Sequence, residues 1–129
     1  MPTILIVDDD EAIRAMLYDL LSDKYECDTA SMAEEALQYV AVEKYDAILT
    51  DIAMPGLTGV ELLKKIQEHD SATPVILISG KGSEQAQALV ELGAFAYVTK
   101  PFNLDEIEQV VERAIENRAQ TFDGDNHAA

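Results

Sequence analysis

The chain has 129 residues, the length of a single domain, and its 48% hydrophobic content excludes wholesale disorder. Its apolar runs are too short to span a bilayer, and the single cysteine, Cys27, excludes an intrachain disulfide. Nine basic and 25 acidic residues give a net charge of −16, which disfavours direct binding to nucleic acid or to anionic lipid.

Five short apolar runs along the chain predict β-strands. They cover residues 3–7, 25–29, 47–50, 75–78 and 94–98, and the second is a weaker run that alternates with polar residues. Runs without such alternation indicate strands that are covered on both faces, as in a parallel sheet. Each run is followed by apolar residues at helical spacing, in stripes that begin at Ile13, Ala33, Leu62, Ala86 and Leu104. Strand and helix thus alternate five times, which predicts an α/β fold with right-handed crossovers.

Capping signals predict several of the helix ends. Three helices open with a capping box: Ser31 with Glu34, Thr58 with Glu61, and Asn103 with Glu106. Asp10 suits the N-cap of the first helix, and Gly93 suits the C-terminal stop of the fourth. The apolar rhythm ends after Arg118, so residues 121–129 are predicted to form a frayed polar tail or the start of a linker.

Reactive side chains follow four of the five predicted strands. The first strand runs into Asp8, Asp9 and Asp10, and the third ends at Asp51. The fourth ends at Ser79, and the fifth is followed by Lys100. Because ligands of open parallel sheets bind beyond the carboxyl ends of the strands, we predict that these side chains meet at one rim.

Carboxylates gathered at such a rim need a cation among them. Each close pair repels by about 4 kcal/mol at an effective dielectric near 20. Lys100 supplies one positive charge, and Mg²⁺ suits a site of carboxylates and water, whereas His69 and His127 lie too far away for a zinc site. A carboxylate beside Mg²⁺ and a lysine can attack phosphorus to give an aspartyl phosphate, a reaction that depends mainly on positioning and charge neutralisation.

Four segments stand in a specific order along the chain. They are residues 6–10, 49–59, 78–80 and 100–102, with the sequences IVDDD, LTDIAMPGLTG, ISG and KPF. Together they resemble the receiver domain of bacterial response regulators, over about residues 3–118. The resemblance implies a (βα)5 doubly wound sheet of the flavodoxin-like or CheY-like type, with strand order 2-1-3-4-5. It places the receiver domain at residues 1–120.

The resemblance also implies a phosphorylation site and a Mg²⁺ site. Asp51 is the implied phosphoacceptor. Asp9 is expected to bind Mg²⁺ directly and Asp8 largely through water. Asp51 and the backbone carbonyl of Ala53 complete the implied set of protein ligands.

Three further residues carry implied roles in switching. Lys100 is expected to pair with the phosphoryl group, and Ser79 to bond to it only after transfer. Tyr97 matches an aromatic position whose ring turns inward as that hydroxyl moves. The Lys100–Pro101 peptide bond is expected to be cis, against a base rate of roughly 5–6% for X-Pro bonds.

Two positions that vary in the family bear on the lifetime of the phosphoryl group. Ala53 has no polar side chain with which to orient an attacking water molecule. Lys81 could lie over the phosphoryl group and shield it. We therefore expect a moderately long-lived aspartyl phosphate, with a decay that becomes faster in Lys81→Ala.

The implied function is a switch that accepts a phosphoryl group from a histidine kinase or a histidine phosphotransfer protein. The fourth helix, fifth strand and fifth helix are expected to change arrangement and to contact an effector domain or protein. The resemblance also allows a homodimer through this face. Such a domain phosphorylates and dephosphorylates itself, and it is not a turnover enzyme for an outside substrate.

Two other functions stay open. A haloacid-dehalogenase-type phosphatase also uses an aspartyl phosphate and Mg²⁺, but it needs a second acid where this chain has Ala53. A degenerate receiver could act as a docking module that does not depend on phosphorylation, although all the functional positions here are occupied. Labelling with a small phosphodonor distinguishes these two functions from that of a receiver.

The context of the domain is predicted only in outline. The helical ending at residues 114–120 could continue into a linker helix, which favours the front of a larger regulator over a free-standing receiver. No basic signal segment precedes the first strand, and the single cysteine suits a reducing compartment, so we expect a cytoplasmic protein.

Overall fold

The computed structural model of the chain describes residues 1–52, 59–80 and 84–128. Strands and helices alternate five times along it. In chain order they are β1 (Thr3–Val7), α1 (Glu11–Leu21), β2 (Glu26–Ala30), α2 (Ala33–Val42), β3 (Ala47–Asp51), α3 (Gly59–His69), β4 (Val75–Ser79), α4 (Glu84–Glu91), β5 (Ala96–Thr99) and α5 (Leu104–Ala128).

The five strands form one parallel sheet with the order β2-β1-β3-β4-β5. The predicted fold class and strand order are therefore confirmed. From β1 the chain moves outward to β2 and then returns to place β3 on the other side of β1, so the order reverses between β1 and β3. A crevice opens at such a reversal, beyond the carboxyl ends of the two strands. Val7 of β1 lies beside Thr50 of β3 at this point.

Side chains of the central strands point alternately to the two faces of the sheet, where they pack into two apolar layers. Leu5 and Val7 of β1 face the layer that is packed by α2 and α3. Ile4 and Ile6 face the opposite layer, which is packed by α1 and α5. Because both faces are covered, the central strands have no polar alternation, and all residues of β3 and β4 are buried. The two layers fix the strand ends that carry the reactive side chains.

Several predicted boundaries shift by one or two residues. The second strand is 26–30 rather than 25–29, and the fifth is 96–99 rather than 94–98. The third and fourth strands each continue for one more residue, so Asp51 and Ser79 are themselves the last residues of their strands. Both side chains are therefore held by the sheet rather than by a loop.

The predicted capping signals have mixed outcomes. Asp10 caps α1, and the carboxamide oxygen of Asn103 accepts a hydrogen bond from the Asp105 amide at the start of α5. The Ser31–Glu34 box is wrong, because Met32 is the N-cap of α2 and makes no side-chain capping bond. The carboxylate of Glu35, rather than that of Glu34, accepts a hydrogen bond from a backbone amide before the helix, that of Ser31, at 2.7 Å. The Thr58–Glu61 box lies outside the described residues, since Thr58 is not among them.

The segment after α4 has the predicted glycine, and α5 is longer than its apolar stripe. Gly93 follows α4 as predicted, with a φ of 122°, a conformation that favours glycine. Helix α5 runs as far as Ala128, so residues 121–128 continue the helix, and their role as a tail or as the start of a linker stays a prediction. The domain boundary at residue 120 stays a prediction. Among the described residues, no helix combines the length and apolar character that a membrane crossing needs.

Candidate phosphoacceptor site

The carboxyl ends of β1 and β3 bring three carboxylates together. Asp8 follows the last residue of β1, and Asp51 is the last residue of β3, on the neighbouring strand. One carboxylate oxygen from each of Asp8, Asp9 and Asp51 lies within 4.8 Å of the others. Asp8 is fully buried and Asp51 is 5% exposed, whereas Asp9 is open to solvent. The predicted meeting of these residues at one rim is confirmed.

The loop between β1 and α1 sets the direction of the Asp8 side chain. One of its oxygens, Oδ1, accepts a hydrogen bond from the Asp10 amide at 2.9 Å. Asp10 in turn accepts from the amides of Ala12 and Ile13 and so caps the helix. The second Asp8 oxygen, Oδ2, is buried and accepts no hydrogen bond from the described residues. It faces the rim.

Lys100 reaches this rim from the far side of β4. Its backbone amide donates to the Ser79 carbonyl at 2.7 Å, which extends the pairing of β5 with β4 by one residue. Its ammonium nitrogen lies 2.9 Å from Asp51 Oδ2 and 3.6 Å from Asp8 Oδ2. The following peptide bond, Lys100–Pro101, is cis as predicted. Lys100 is therefore the cation between the two buried carboxylates.

Burial and charge shift the pKa values of two groups at the rim. Burial raises the pKa of the Asp8 carboxyl, and the charges of Asp51 and Asp9 add to this, against the Asp10 amide and Lys100. Burial alone would lower the pKa of the Lys100 ammonium, but its hydrogen bond to Asp51 and the charges of Asp51 and Asp8 outweigh that effect and raise it. Lys100 is thus stabilised in its charged form, whereas burial makes the ionised form of Asp8 less favourable.

The donor set fits a hard divalent cation. Carboxylate oxygens are the ligands that Mg²⁺ prefers, and it keeps several water molecules, for which the exposed side of Asp9 leaves room. Asp8 Oδ2 accepts no hydrogen bond from the described residues and has only the Lys100 ammonium, at 3.6 Å, as a nearby positive charge, so a further cation would be accommodated there. The group could therefore hold a metal ion.

Ser79 and Tyr97 occupy different environments near the site. Ser79 is the last residue of β4, between the strands that carry Asp51 and Lys100, and its buried hydroxyl has no hydrogen-bond partner among the described residues. An unpartnered buried hydroxyl is costly, which suits a group that bonds to an incoming ligand. Tyr97 on the edge strand β5 is 44% exposed, so its ring faces outward.

Other predicted residues fall outside or away from this cluster. Ala53 and Lys81 lie outside the described residues, so the roles predicted for them stay predictions. His69 ends α3, at the opposite end of the sheet from the carboxylates, and does not join them.

One contact at the rim was not predicted. The guanidinium of Arg14, in the first turns of α1, donates to the Asp8 carbonyl at 2.7 Å. The available signal was a basic residue just after the start of a helix, where the helix dipole disfavours positive charge.

Comparison with known families matches residues 4–112 to the response regulator receiver domain. Regulatory protein AtoC of Escherichia coli is 39% identical over 115 residues, which are 88% of this chain and 25% of AtoC. The alkaline phosphatase synthesis transcriptional regulatory protein PhoP of Bacillus subtilis is 39% identical over 119 residues, 91% of this chain and 49% of PhoP. The chain thus spans between a quarter and a half of the length of these relatives.

A solved structure agrees with the sequence match. The crystal structure of a response regulator receiver domain protein from Clostridium thermocellum has a TM-score of 0.88 and 29% identity, covering 94% of this chain and 99% of that one. The chain therefore belongs to the response regulator receiver domain family, whose members serve in two-component signalling systems.

Proposed function

We propose that this domain accepts a phosphoryl group on Asp51 in a Mg²⁺-dependent reaction and passes the signal to an effector. The single observation that supports it most is the placement of Asp51. Its carboxylate is 5% exposed at the end of a central strand and lies 2.9 Å from the Lys100 ammonium, within 4.8 Å of two further carboxylates. A buried carboxylate beside an ammonium and two further acids at a strand end suits phosphoryl transfer, which depends mainly on positioning and charge neutralisation.

Asp8, Asp9 and Asp51 would hold the Mg²⁺ ion, with the Ala53 carbonyl as the further ligand that the family resemblance implies. When bound, the ion supplies positive charge that neutralises phosphoryl oxygens. Asp8 contributes an oxygen that accepts no hydrogen bond from the described residues. Asp9, on the exposed side, contributes a carboxylate that is in contact with solvent.

The chain's own groups supply the remaining requirements of the transfer. An oxygen of the Asp51 carboxylate attacks phosphorus as the bond from phosphorus to the donor nitrogen breaks. The electron pair of that bond stays on the imidazole, which leaves neutral when its other nitrogen carries a proton. Lys100 pairs with a phosphoryl oxygen, and the unpartnered Ser79 hydroxyl can donate to another after transfer. No general base is required.

The donor we propose is the phosphohistidine of a sensor histidine kinase or a histidine phosphotransfer protein. The output is a change at α4, β5 and α5 that alters a contact with an effector domain or protein, or between two copies of the domain. AtoC is named as a regulatory protein and PhoP as a transcriptional regulatory protein. An effector of that kind is our proposal for this chain, with the domain acting as a switch and not as a turnover enzyme.

Labelling with a small phosphodonor tests the proposal. The purified domain is mixed with acetyl phosphate, with Mg²⁺ or with EDTA, and its intact mass and the release of inorganic phosphate are followed. We expect one added phosphoryl group that requires Mg²⁺ and outlasts removal of the donor. Continuous phosphate release by the unmodified protein would instead indicate a phosphatase. No modification in either buffer would indicate a docking module.

A further inference from the structure

We propose that Arg14 is a positioning residue for the Mg²⁺ site, which it supports through the peptide group between Asp8 and Asp9. This inference rests on the proposed function, since it concerns the same cation. Arg14 donates from Nη1 to the Asp8 carbonyl oxygen at 2.7 Å. That carbonyl belongs to the peptide unit that links the two acids, so its orientation sets the backbone from which both carboxylates project.

The Asp8 carbonyl has lost its partners in the sheet at this point. The pairing of β1 with β2 and with β3 ends at Val7 in both cases. The Asp8 amide still donates to the Ala30 carbonyl at 3.1 Å, and Asp8 as a whole is fully buried. A buried carbonyl needs a donor, and here the donor comes from the Arg14 side chain rather than from the ladder. The end of the strand therefore depends on this residue.

The position of Arg14 on α1 is unfavourable for a cation in other respects. It is the fourth residue of the helix, where the positive end of the helix dipole repels a guanidinium. The contact with Asp8 offsets that repulsion. It uses a backbone oxygen and takes none of the carboxylate oxygens that a metal ion needs. Lys100, by contrast, occupies Asp51 Oδ2. Arg14 thus adds order to the acidic loop and leaves its ligand oxygens free.

The test compares Mg²⁺ binding by three variants in the folded domain. Arg14→Met removes the donor and keeps a long side chain with good helix propensity. Arg14→Lys keeps a donor that can reach the same carbonyl. Arg113→Met, at an exposed position on α5, removes one positive charge away from the site and controls for net charge. The Mg²⁺ dissociation constant is measured by calorimetry, and the labelling rate with acetyl phosphate is measured over a range of Mg²⁺ concentrations.

We expect Arg14→Met to raise the Mg²⁺ dissociation constant about tenfold, the lower end of what loss of a residue behind the metal ligands costs. Arg14→Lys should recover part of this loss, and Arg113→Met should match the wild type. Saturating Mg²⁺ should restore the labelling rate of Arg14→Met, because the reacting groups Asp51 and Lys100 are intact. A residue that only supported the fold would not produce this split between half-saturating Mg²⁺ and maximal rate.

Two results would overturn the inference. One is a Mg²⁺ dissociation constant of Arg14→Met equal to that of the wild type. The other is a lower maximal rate with unchanged half-saturating Mg²⁺. If Arg14→Met does not fold, Arg14→Ala carries the test, because it also removes the donor and has the highest helix propensity, and wild-type Mg²⁺ affinity in it would refute the role. A wild-type domain that binds no Mg²⁺ contradicts the proposed function itself, so the two failures are distinguishable.

Discussion

Replacing Asp8 with Asn should stabilise the metal-free domain while it weakens Mg²⁺ binding. Asp8 is fully buried, and the asparagine oxygen can still accept from the Asp10 amide. The substitution therefore removes a buried negative charge with little change in shape. It tests whether the buried negative charge of Asp8 costs stability when no Mg²⁺ is bound.

The magnitude follows from the distances at the rim. With an effective dielectric of 20, the attraction of Asp8 to Lys100 at 3.6 Å is about 4.6 kcal/mol. The repulsion from Asp51 at up to 4.8 Å is about 3.5 kcal/mol or more, so the two nearly cancel. The cost of burying the charge remains, and part of it is offset by a charge-assisted hydrogen bond. We expect a gain of about 1 to 2 kcal/mol.

The pKa of Asp8 sets the pH dependence of this gain. Burial raises the pKa of the folded carboxyl above its unfolded value. For an acid, this means that ionisation costs stability once the pH rises above the folded pKa, and that the cost disappears as the pH falls below the unfolded pKa. The variant should therefore be more stable than the wild type at pH 7 and nearly equal to it at pH 3.

Urea unfolding followed by circular dichroism, in EDTA and then in Mg²⁺, measures the effect. Asp19→Asn, at an exposed position on α1, makes the same change of net charge and should leave stability nearly unchanged. Mg²⁺ should stabilise the wild type more than Asp8→Asn, because binding to the folded state adds stability. An Asp8→Asn variant that is less stable than the wild type in EDTA at pH 7 would refute the reasoning.

Three further predictions concern residues away from the rim. Burial by itself would raise the pKa of Asp70, but its hydrogen bonds with Arg118, the Ala72 amide and Thr73, together with the charge of Arg118, outweigh burial and lower the pKa. Asp70→Asn should therefore cost about 2 kcal/mol at pH 7. The stability that ionised Asp70 contributes is present above its unfolded pKa and is lost as the pH falls through its folded pKa. Urea unfolding should therefore show the difference in unfolding free energy between the wild type and Asp70→Asn closing at low pH, and a difference that does not change with pH would refute this prediction. Burial raises the pKa of Cys27 to about 11, so its alkylation by iodoacetamide at neutral pH should be about a hundredfold slower than that of a free thiol, and a free-thiol rate would contradict this. Gly93→Ala should lower stability by about 1 to 2 kcal/mol, because alanine is strained at a φ of 122°, and a thermal melt equal to the wild type would rule this out.

The fold was predictable because its signals are periodic and local. The buried runs of β1, β3 and β4 have no polar alternation, and the intervening helices have clear apolar stripes. The weaker elements were placed less well. β5 begins at Ala96 rather than at residue 94, because residues 94 and 95 continue the apolar run but precede the strand, although the Phe95 amide already donates to the Val75 carbonyl at 2.8 Å. Apolar character alone does not mark where a strand begins.

The site was predictable as a set of residues but not as a network. Asp8, Asp51 and Lys100 could be assigned because each follows or ends a strand, and parallel strands end at one rim. The hydrogen bond from Arg14 to the Asp8 carbonyl depends on the direction of a long side chain, and residue spacing does not predict that direction. The same holds for Arg118, which is buried at the far end of the sheet and donates to Thr73 and Asp70. Its position late in α5 suggested only that the apolar stripe had ended.

Mapping the phosphoryl group tests the central claim most directly. The domain is treated with acetyl phosphate and Mg²⁺, the acyl phosphate is reduced with borohydride, and the modified residue is located by peptide mass spectrometry. The account predicts modification at Asp51, and no modification in Asp51→Asn or in EDTA. Modification at another residue, or full modification of Asp51→Asn, would contradict it.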